Sequence, residues 1–432
     1  MSIADTRAAI IGDTTVRGAV MCRALSDATD EWLKGVFAAA VEGEKKADRI
    51  ALLAVGGYGR RELAPFSDLD LLLVHDGVRN IADIASRAWY PVWDAGLKLG
   101  HAVRTPKETQ QMCDTDLDTA TALVTARFLA GSEELAESVI SSARDGWRRR
   151  GREWLVTLHS GVRERHANHG EVAFMLEPNL KEGLGGLRDI HALGWAVSAG
   201  LELGADDRSV LDRSNTLLLD VRVALHRHVG RANEVLRLED QAAVAASCGF
   251  TDDDALMASL AEVGRQVAWV SDEAWAQLDP PAGRSSVPQD IAPGVQVING
   301  EIHLDDAVDV SDPTLLLRVA SAAAHLRARI DRASLDRLGA QSPEWPDPWP
   351  AGASDGLVAL LLEGEAAIPV FESLDQRNLF VKVLPEWAPV RSRPQRNAYH
   401  RYTVDRHLWQ TVANAAALVD RVARPDLLMI SA

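Results

Sequence analysis

The sequence predicts an α+β fold, with a small mixed region at the N-terminal side and a mostly α-helical region with a short β-hairpin after it. Three observations predict it. An apolar strand–loop–strand unit occupies 50–75, bounded by helical patterns. Long stretches of 136–278 lack Pro and repeat apolar residues at three- and four-residue steps. An Asn299-Gly300 pair sits between alternating apolar residues, which is a strong two-residue hairpin signal.

In chain order, residues 5–48 are Ala-rich with apolar residues at helical spacing, so they predict helix. The strand–loop–strand unit follows. Residues 81–97 suit a further helix and 97–105 a short strand, which closes a first domain near 135. The second domain, 136–278, is helical; Leu218, Val221, Leu225 and Val229 mark one face of a helix in it. Trp269 and Trp275 in 255–278 read as core rather than as stacking platforms for a cofactor. The Pro- and Ser-rich run 279–290 reads as a linker, and 279–311 combines it with the hairpin. Residues 312–338 predict one helical stretch, 343–350 a Pro- and Trp-rich break, and 355–385 further helices, within a last segment of 312–432. The run Leu-Leu-Met-Ile-Ser-Ala at the end reads as a helix without a capping tail, so a longer natural protein is expected.

Composition narrows the function. Hydrophobic residues make up 47% and charged residues 25% of the 432, which suits a globular chain rather than a disordered one. A formal net charge of −16 argues against a broad nucleic-acid surface, which needs Lys and Arg to displace counterions. A local basic pocket for a polyphosphate stays open. Cys22, Cys113 and Cys248 match no zinc spacing and read as reduced structural thiols. No secretory signal and no apolar run of membrane-spanning length occurs, so the expectation is a cytoplasmic protein without a membrane partner.

The chemistry concentrates in Ile-Ala-Leu-Leu-Ala-Val-Gly-Gly-Tyr-Gly-Arg-Arg-Glu-Leu-Ala-Pro-Phe-Ser-Asp-Leu-Asp-Leu-Leu-Leu-Val-His-Asp, 50–76. Gly56 and Gly57 end the first strand without Cβ atoms, so the backbone there can approach a bulky anion. Asp68 and Asp70 are two apart on a strand, so their carboxylates share a face roughly 7 Å apart along it. Leu69, Leu71 and Leu73 face the other way. Crowded carboxylates repel unless a cation joins them, and Mg²⁺ takes oxygen ligands. This layout suits metal-assisted transfer of a nucleotidyl group. Arg60 and Arg61 serve either as phosphate clamps or as solvated loop charges. Ser67 either bonds to phosphate or caps the turn.

The string Gly-Gly-Tyr-Gly-Arg-Arg-Glu-Leu-x-Pro-x-Ser-Asp-x-Asp-Leu-Leu resembles the signature of the bacterial PII uridylyltransferase/uridylyl-removing family, within the DNA polymerase β-type nucleotidyltransferase superfamily. The runs 176–191, 224–234 and 396–407 agree with it in family order. Arg61 departs from the pattern, since many members carry Gly there; a negative φ would accommodate it. The resemblance implies a polymerase β-like first domain and a helical second domain. It implies Mg²⁺-dependent transfer of UMP from UTP to a tyrosine hydroxyl of the nitrogen-signalling protein PII, with pyrophosphate leaving. Asp68 and Asp70 would hold two Mg²⁺ ions about 4 Å apart. Gly56, Gly57, Arg60, Ser67, Lys181 and Arg188 would bind nucleotide. A third carboxylate is common in the superfamily, yet 97–105 holds no acid; Asp116 and Asp118 read as helix-start residues, so that ligand stays open.

The cluster Lys181 to His191 has two readings: a wall of the nucleotide pocket, or a structural Arg188–Asp189 salt bridge. His191, His226 and His228 read as surface or satisfied core residues. His407 matches the opening of an HD-type phosphohydrolase domain that the family uses to remove the nucleotide. No His-Asp pair follows it here, so His407 is expected to be a remnant ligand, with the removing activity and the glutamine-sensing domains missing. Three alternatives accompany this reading. ATP could replace UTP, because the Ala-, Arg- and Asp-rich composition suits a GC-rich genome. The acceptor could be tRNA or an antibiotic, against which the net charge and the later runs count. A non-catalytic nucleotide-binding module is the third.

Overall fold

The computed structural model describes residues 2–278, 286–395 and 402–419. The chain forms two compact units, Met1–Ala173 with Glu177–Leu278, and Phe174–Leu176 with Asp279–Ala432.

The first unit is built on a four-stranded mixed sheet. Its strands are β1 (Ile50–Ala54), β2 (Leu69–His75), β3 (Leu99–Arg104) and β4 (Arg127–Gly131), ordered β3-β2-β1-β4. β1 pairs antiparallel with β2 and β4, and β2 pairs parallel with β3. Alternation divides the apolar residues between two faces. Ile50, Leu52, Leu69, Leu71 and Leu73 pack against α2 (Gly18–Ala40) and α4 (Ile81–Asp94), which follow α1 (Ile3–Gly12) and α3 (Gly56–Gly59) in the helix numbering. Ala51, Leu53, Leu72 and Val74 pack against α5 (Pro106–Thr115), α6 (Leu117–Val124) and α7 (Glu133–Arg149). The sheet is therefore covered on both sides, and Asp70 belongs to the Leu72 face by alternation.

Six helices complete the unit: α7, α8 (Gly151–His169), α9 (Leu187–Ser198), α10 (Ala205–Val229), α11 (Leu238–Cys248) and α12 (Asp253–Ala276). Leu218, Val221 and Leu225 are buried as the helical spacing predicts, with Val229 packed at the edge of the same cluster. Trp275 is core and Trp269 packs against it. The 181–186 loop enters α9 through glycines. Gly185 has φ +85 and leaves no room for a Cβ against the backbone of Gly264 on α12. Cys22, Cys113 and Cys248 are free thiols, and burial pushes the Cys22 thiol up to about 12, as suits a structural role.

In the second unit Asn299 and Gly300, both at positive φ, join β6 (Val295–Ile298) to β7 (Glu301–Leu304), as the hairpin reading expects. A third strand, β5 (Gln289–Ala292), pairs with β6 where the composition reads as linker; residues 279–285 of that linker lie outside the described ones. The single helix expected over 312–338 is two helices, α13 (Leu315–Leu326) and α14 (Arg332–Gln341). Arg327 ends the first in the left-handed region. After these come α15 (Ala353–Leu362), α16 (Ile368–Asp375), α17 (Phe380–Val383) and α18 (Val404–Val419). Phe371, Phe380, Trp387 and Trp409 form their aromatic core. Residues 396–401 of the third family run and the final 420–432 lie outside the described residues. No helix among the described residues is long and apolar enough to cross a membrane.

Candidate functional site

The site forms where β1 ends, α3 turns and β2 begins. Gly56 has φ +58, a conformation that side chains resist, and it opens the single turn of α3. A Cβ at Gly56 would lie 3.0 Å from Oδ2 of Asp70. The N–H of Val55 donates to the Asp70 carbonyl at 3.0 Å, which fixes the turn to the strand that bears the acid. On the other side Asp70 is in register with Gly100 of β3, and a methyl at Gly100 would overlap the Asp70 Oδ1. The carboxylate thus lies in a slot between two glycines. Sequence reading singled out Gly56 but not Gly100, whose role depends on a parallel strand pairing. Gly59, also overlooked, packs its α-carbon against the Thr125 and Ala54 carbonyls, 2.7 and 3.0 Å from a Cβ built there.

Asp68 stands one residue before β2 and is exposed, with Lys98 Nζ 4.0 Å from its Oδ1. Burial, and then the charge of Asp68, push the Asp70 carboxyl up; Lys181, Arg188 and Arg60 act in the opposite direction. The charge of Asp68 acts on Asp70, and so do the opposing charges of Arg60 in the motif and of Lys181 and Arg188 further along the chain. Hard carboxylate oxygens crowded in this way suit a divalent cation such as Mg²⁺. The Oγ of Ser67 next to them is buried without a hydrogen-bond partner, so the site holds an unused polar atom.

Arg60 is anchored: Nε donates to Glu62 at 2.8 Å, Nη2 lies 3.4 Å from His191 Nδ1, and the guanidinium stands 6.0 Å from the Trp195 ring centroid. Nη2 is 3.8 Å from the place a Gly57 Cβ would take. Arg61 behaves differently. Its φ is +60, not negative as the departure from Gly required, and its exposed guanidinium pairs with Asp27 at 2.6 Å. A left-handed Arg explains why Gly suits that position.

The second cluster forms no Arg188–Asp189 bridge. Asp189 is buried, accepts from the Gly185 N–H at 2.7 Å and from Arg165, and lies 2.8 Å from His166 Nε2. Its task is to close the glycine loop at the start of α9. Arg188 instead stands 3.6 Å from Glu182, which Lys181 also approaches, at 3.7 Å. Burial pushes the Lys181 ammonium down.

Among the histidines, His226 is a core residue whose Nδ1–H donates to the Pro65 carbonyl at 2.6 Å, tying α10 to the site loop. His228 is half-exposed, 3.4 Å from Asp240. The His191 side chain is only 8% exposed, and burial followed by the charge of Arg60 pushes its imidazole down to about 4. Burial opposes ionisation of Glu62, yet His191 and Arg60 beside it hold its carboxyl at about 2. The stable pairing is an anionic Glu62 with a neutral His191.

Asp116 caps α6, accepting from the Thr119 N–H at 2.8 Å, and Asp118 lies in the first turn of that helix. His407 lies on α18 in the second unit and belongs to no three-donor group among the described residues. The one such group, Glu301, His303 and Asp331, uses Asp331 to cap α14 through the Ser334 N–H at 2.9 Å.

Residues 157–275 match the family model of the GlnD PII-uridylyltransferases. The chain is 42% identical over 95% of its length to a bifunctional uridylyltransferase/uridylyl-removing enzyme of Streptomyces coelicolor, covering 51% of that protein. It is 38% identical to the protein of the same name from Mycobacterium tuberculosis, over 90% of this chain and 50% of the relative. For the Corynebacterium glutamicum protein the values are 33%, 88% and 55%. The chain spans about half the length of the curated relatives it matches.

Proposed function

Since this chain belongs to the PII-uridylyltransferase family, we propose that it is a nucleotidyltransferase that moves UMP from UTP to a tyrosine hydroxyl of PII and releases pyrophosphate. One observation carries the reading: the Asp70 carboxylate sits between Gly56 and Gly100, under the charges of Asp68, Lys181, Arg188 and Arg60. The relatives' printed names favour uridylyl over adenylyl as the group transferred. In this reading residues 1–135 carry the transfer chemistry, 136–278 supply the cationic wall, 279–311 are linker and hairpin, and 312–432 form the HD-type segment.

Asp68 and Asp70 would hold divalent cations, Mg²⁺ in the family reading. Such ions supply Lewis-acid activation of the attacking hydroxyl and neutralise charge on the leaving pyrophosphate. The remaining work falls to the protein. Gly56 and Gly57 leave the backbone bare, so a triphosphate can lie against it. Lys181, Arg188 and Arg60 offset the charge of the triphosphate within a chain of net charge −16. The unpartnered Ser67 hydroxyl donates to a phosphate oxygen. The tyrosine oxygen attacks the α-phosphorus in line with the departing oxygen, and a new P–O bond replaces the broken one.

The test mixes the 432-residue chain with PII, Mg²⁺ and labelled UTP or ATP, and weighs PII by mass spectrometry. A UMP-sized increment, lost in Asp70→Asn, is the expected outcome. An AMP-sized increment would replace the donor and keep the site. No label from either nucleotide, with a full-length relative active in parallel, would favour a binding module.

A further inference from the structure

The glycine turn is followed at once by a polar knot around Arg60, in which Glu62 and His191 have no part in the transfer chemistry. Glu62 is fixed to the turn by its own backbone, its N–H donating to the Gly57 carbonyl at 2.9 Å. Its Oε2 receives the Arg60 Nε–H at 2.8 Å, and His191 Nε2 lies 2.9 Å from the same oxygen, off the line of a well-aligned hydrogen bond. His191 Nδ1 faces Arg60 Nη2 at 3.4 Å. Trp195, one helical turn further along α9, lies under the guanidinium. Arg60 and Glu62 each keep 17% of the side chain exposed and His191 only 8%.

A guanidinium carries five N–H groups in a rigid fork. Pairing through Nε leaves the Nη edge for a second anion. A free Arg on a glycine loop would surrender rotamer freedom on binding phosphate, and one already held loses less. The Nη2 atom lies alongside Gly57, and its charge acts on Asp70. The brace therefore ties three things together: the turn, the cation and the helix that follows Lys181 and Arg188.

We propose that Glu62 and His191 are positioning residues that hold Arg60 at the glycine turn as a clamp for the triphosphate of the incoming nucleotide. The proposal rests on the reading of this pocket as a nucleotide site. It predicts that Glu62 acts only through Arg60, so removing one makes the other irrelevant to nucleotide binding.

The experiment is a double-mutant cycle on the 432-residue chain, read by calorimetric binding of Mg·UTP and Mg·ATP and by KM and kcat for labelling of PII. Glu62→Gln keeps the size and removes the charge. It should weaken nucleotide binding about ten-fold, the loss of one charge-assisted hydrogen bond, and raise KM more than it lowers kcat. Arg60→Ala should weaken binding at least as much, and adding Glu62→Gln to it should change nothing further. Equal losses in both backgrounds, or unchanged affinity in Glu62→Gln, would overturn the brace. Should Glu62→Gln fail to fold, His191→Asn runs the same cycle. An unmutated chain that binds neither nucleotide sinks the pocket reading and the brace with it. A chain that binds nucleotide, while Glu62→Gln binds as tightly, sinks the brace alone.

Discussion

Gly100→Ala separates the chemistry from the fold more cleanly than any change at the acids themselves. Gly100 lies in β3 outside the left-handed region, so an alanine there carries no backbone strain. The nearest atom besides those of Asp70 is the Leu69 carbonyl oxygen at an ordinary 3.9 Å. The new methyl meets only the Asp70 carboxylate, overlapping Oδ1 and standing 3.6 Å from Cγ. To regain van der Waals contact the oxygen has to swing by about 1 Å. A 1 Å displacement of a reacting group costs on the order of 10²-fold in rate. Stability should move the other way, neutral to about 1 kcal/mol higher, because alanine restricts the unfolded chain. The assay pairs urea unfolding with kcat/KM for nucleotide transfer to PII. Activity equal to the parent's would refute the claim that the slot aims Asp70. Gly56→Ala cannot serve here, since its φ of +58 would cost stability as well.

Further outcomes follow from the same geometry. Asp70→Asn removes a buried charge that Asp68 disfavours, so in metal-free buffer its Tm should rise above the parent's. Mg²⁺ should then raise the Tm of the parent and leave Asp70→Asn unmoved, with transfer lowered on the order of 10³-fold; an equal Mg²⁺ shift in both would remove Asp70 from the ligand set. Arg61→Gly relieves a left-handed side chain and loses only an exposed ion pair with Asp27, so unfolding should become about 1 kcal/mol harder in urea; a lower midpoint would contradict this. Acidification should weaken the fold in two legs. His191 is held near 4 and Glu62 near 2, both below their ordinary values of 6.5 and 4.5. The unfolded chain thus takes a proton at His191 as pH falls from 6.5 to 4, and at Glu62 as it falls from 4.5 to 2, and the folded chain does not. The stability contributed is complete above 6.5 and disappears downward through these windows; His191→Gln should flatten the upper leg, by on the order of 3 kcal/mol. An unchanged slope in that variant would show that His191 is not the group responsible.

The strands that bear the site were legible because burial on both sheet faces leaves a readable mark. Leu69, Leu71 and Leu73 serve one core and Leu72 and Val74 the other, so β2 could only be a central strand. The Asn299-Gly300 hairpin was legible because its turn demands positive φ at both positions, which few other residue pairs accept. The misses share a cause, which is that they depend on partners distant in sequence. In β5, Gln289 and Asp290 are polar and exposed, and only pairing with β6 makes it a strand. The break between α13 and α14 falls at Arg327, a residue with no breaker chemistry, held left-handed by its surroundings.

At the site the same division separates what the residues announce from what the fold adds. Asp68, Asp70, Gly56 and Gly57 lie within one local run, and their types alone specify a cation and a close-approaching anion. Gly100 carries no such message; it matters because β3 lies parallel to β2 with Asp70 opposite it. His191 reads as a surface or satisfied core histidine, and its side chain is only 8% exposed. Yet Glu62 and Arg60 reach it from the motif itself. Arg60 and Arg61 are neighbours of one residue type, and sequence gave each the same two readings. The fold sorts them by backbone: the left-handed φ of Arg61 turns its side chain out to Asp27, while Arg60, in the ordinary helical region, is held by Glu62 beside the glycines. A motif states which chemistries are available; which of two adjacent arginines carries one depends on a single torsion and on a carboxylate two residues away.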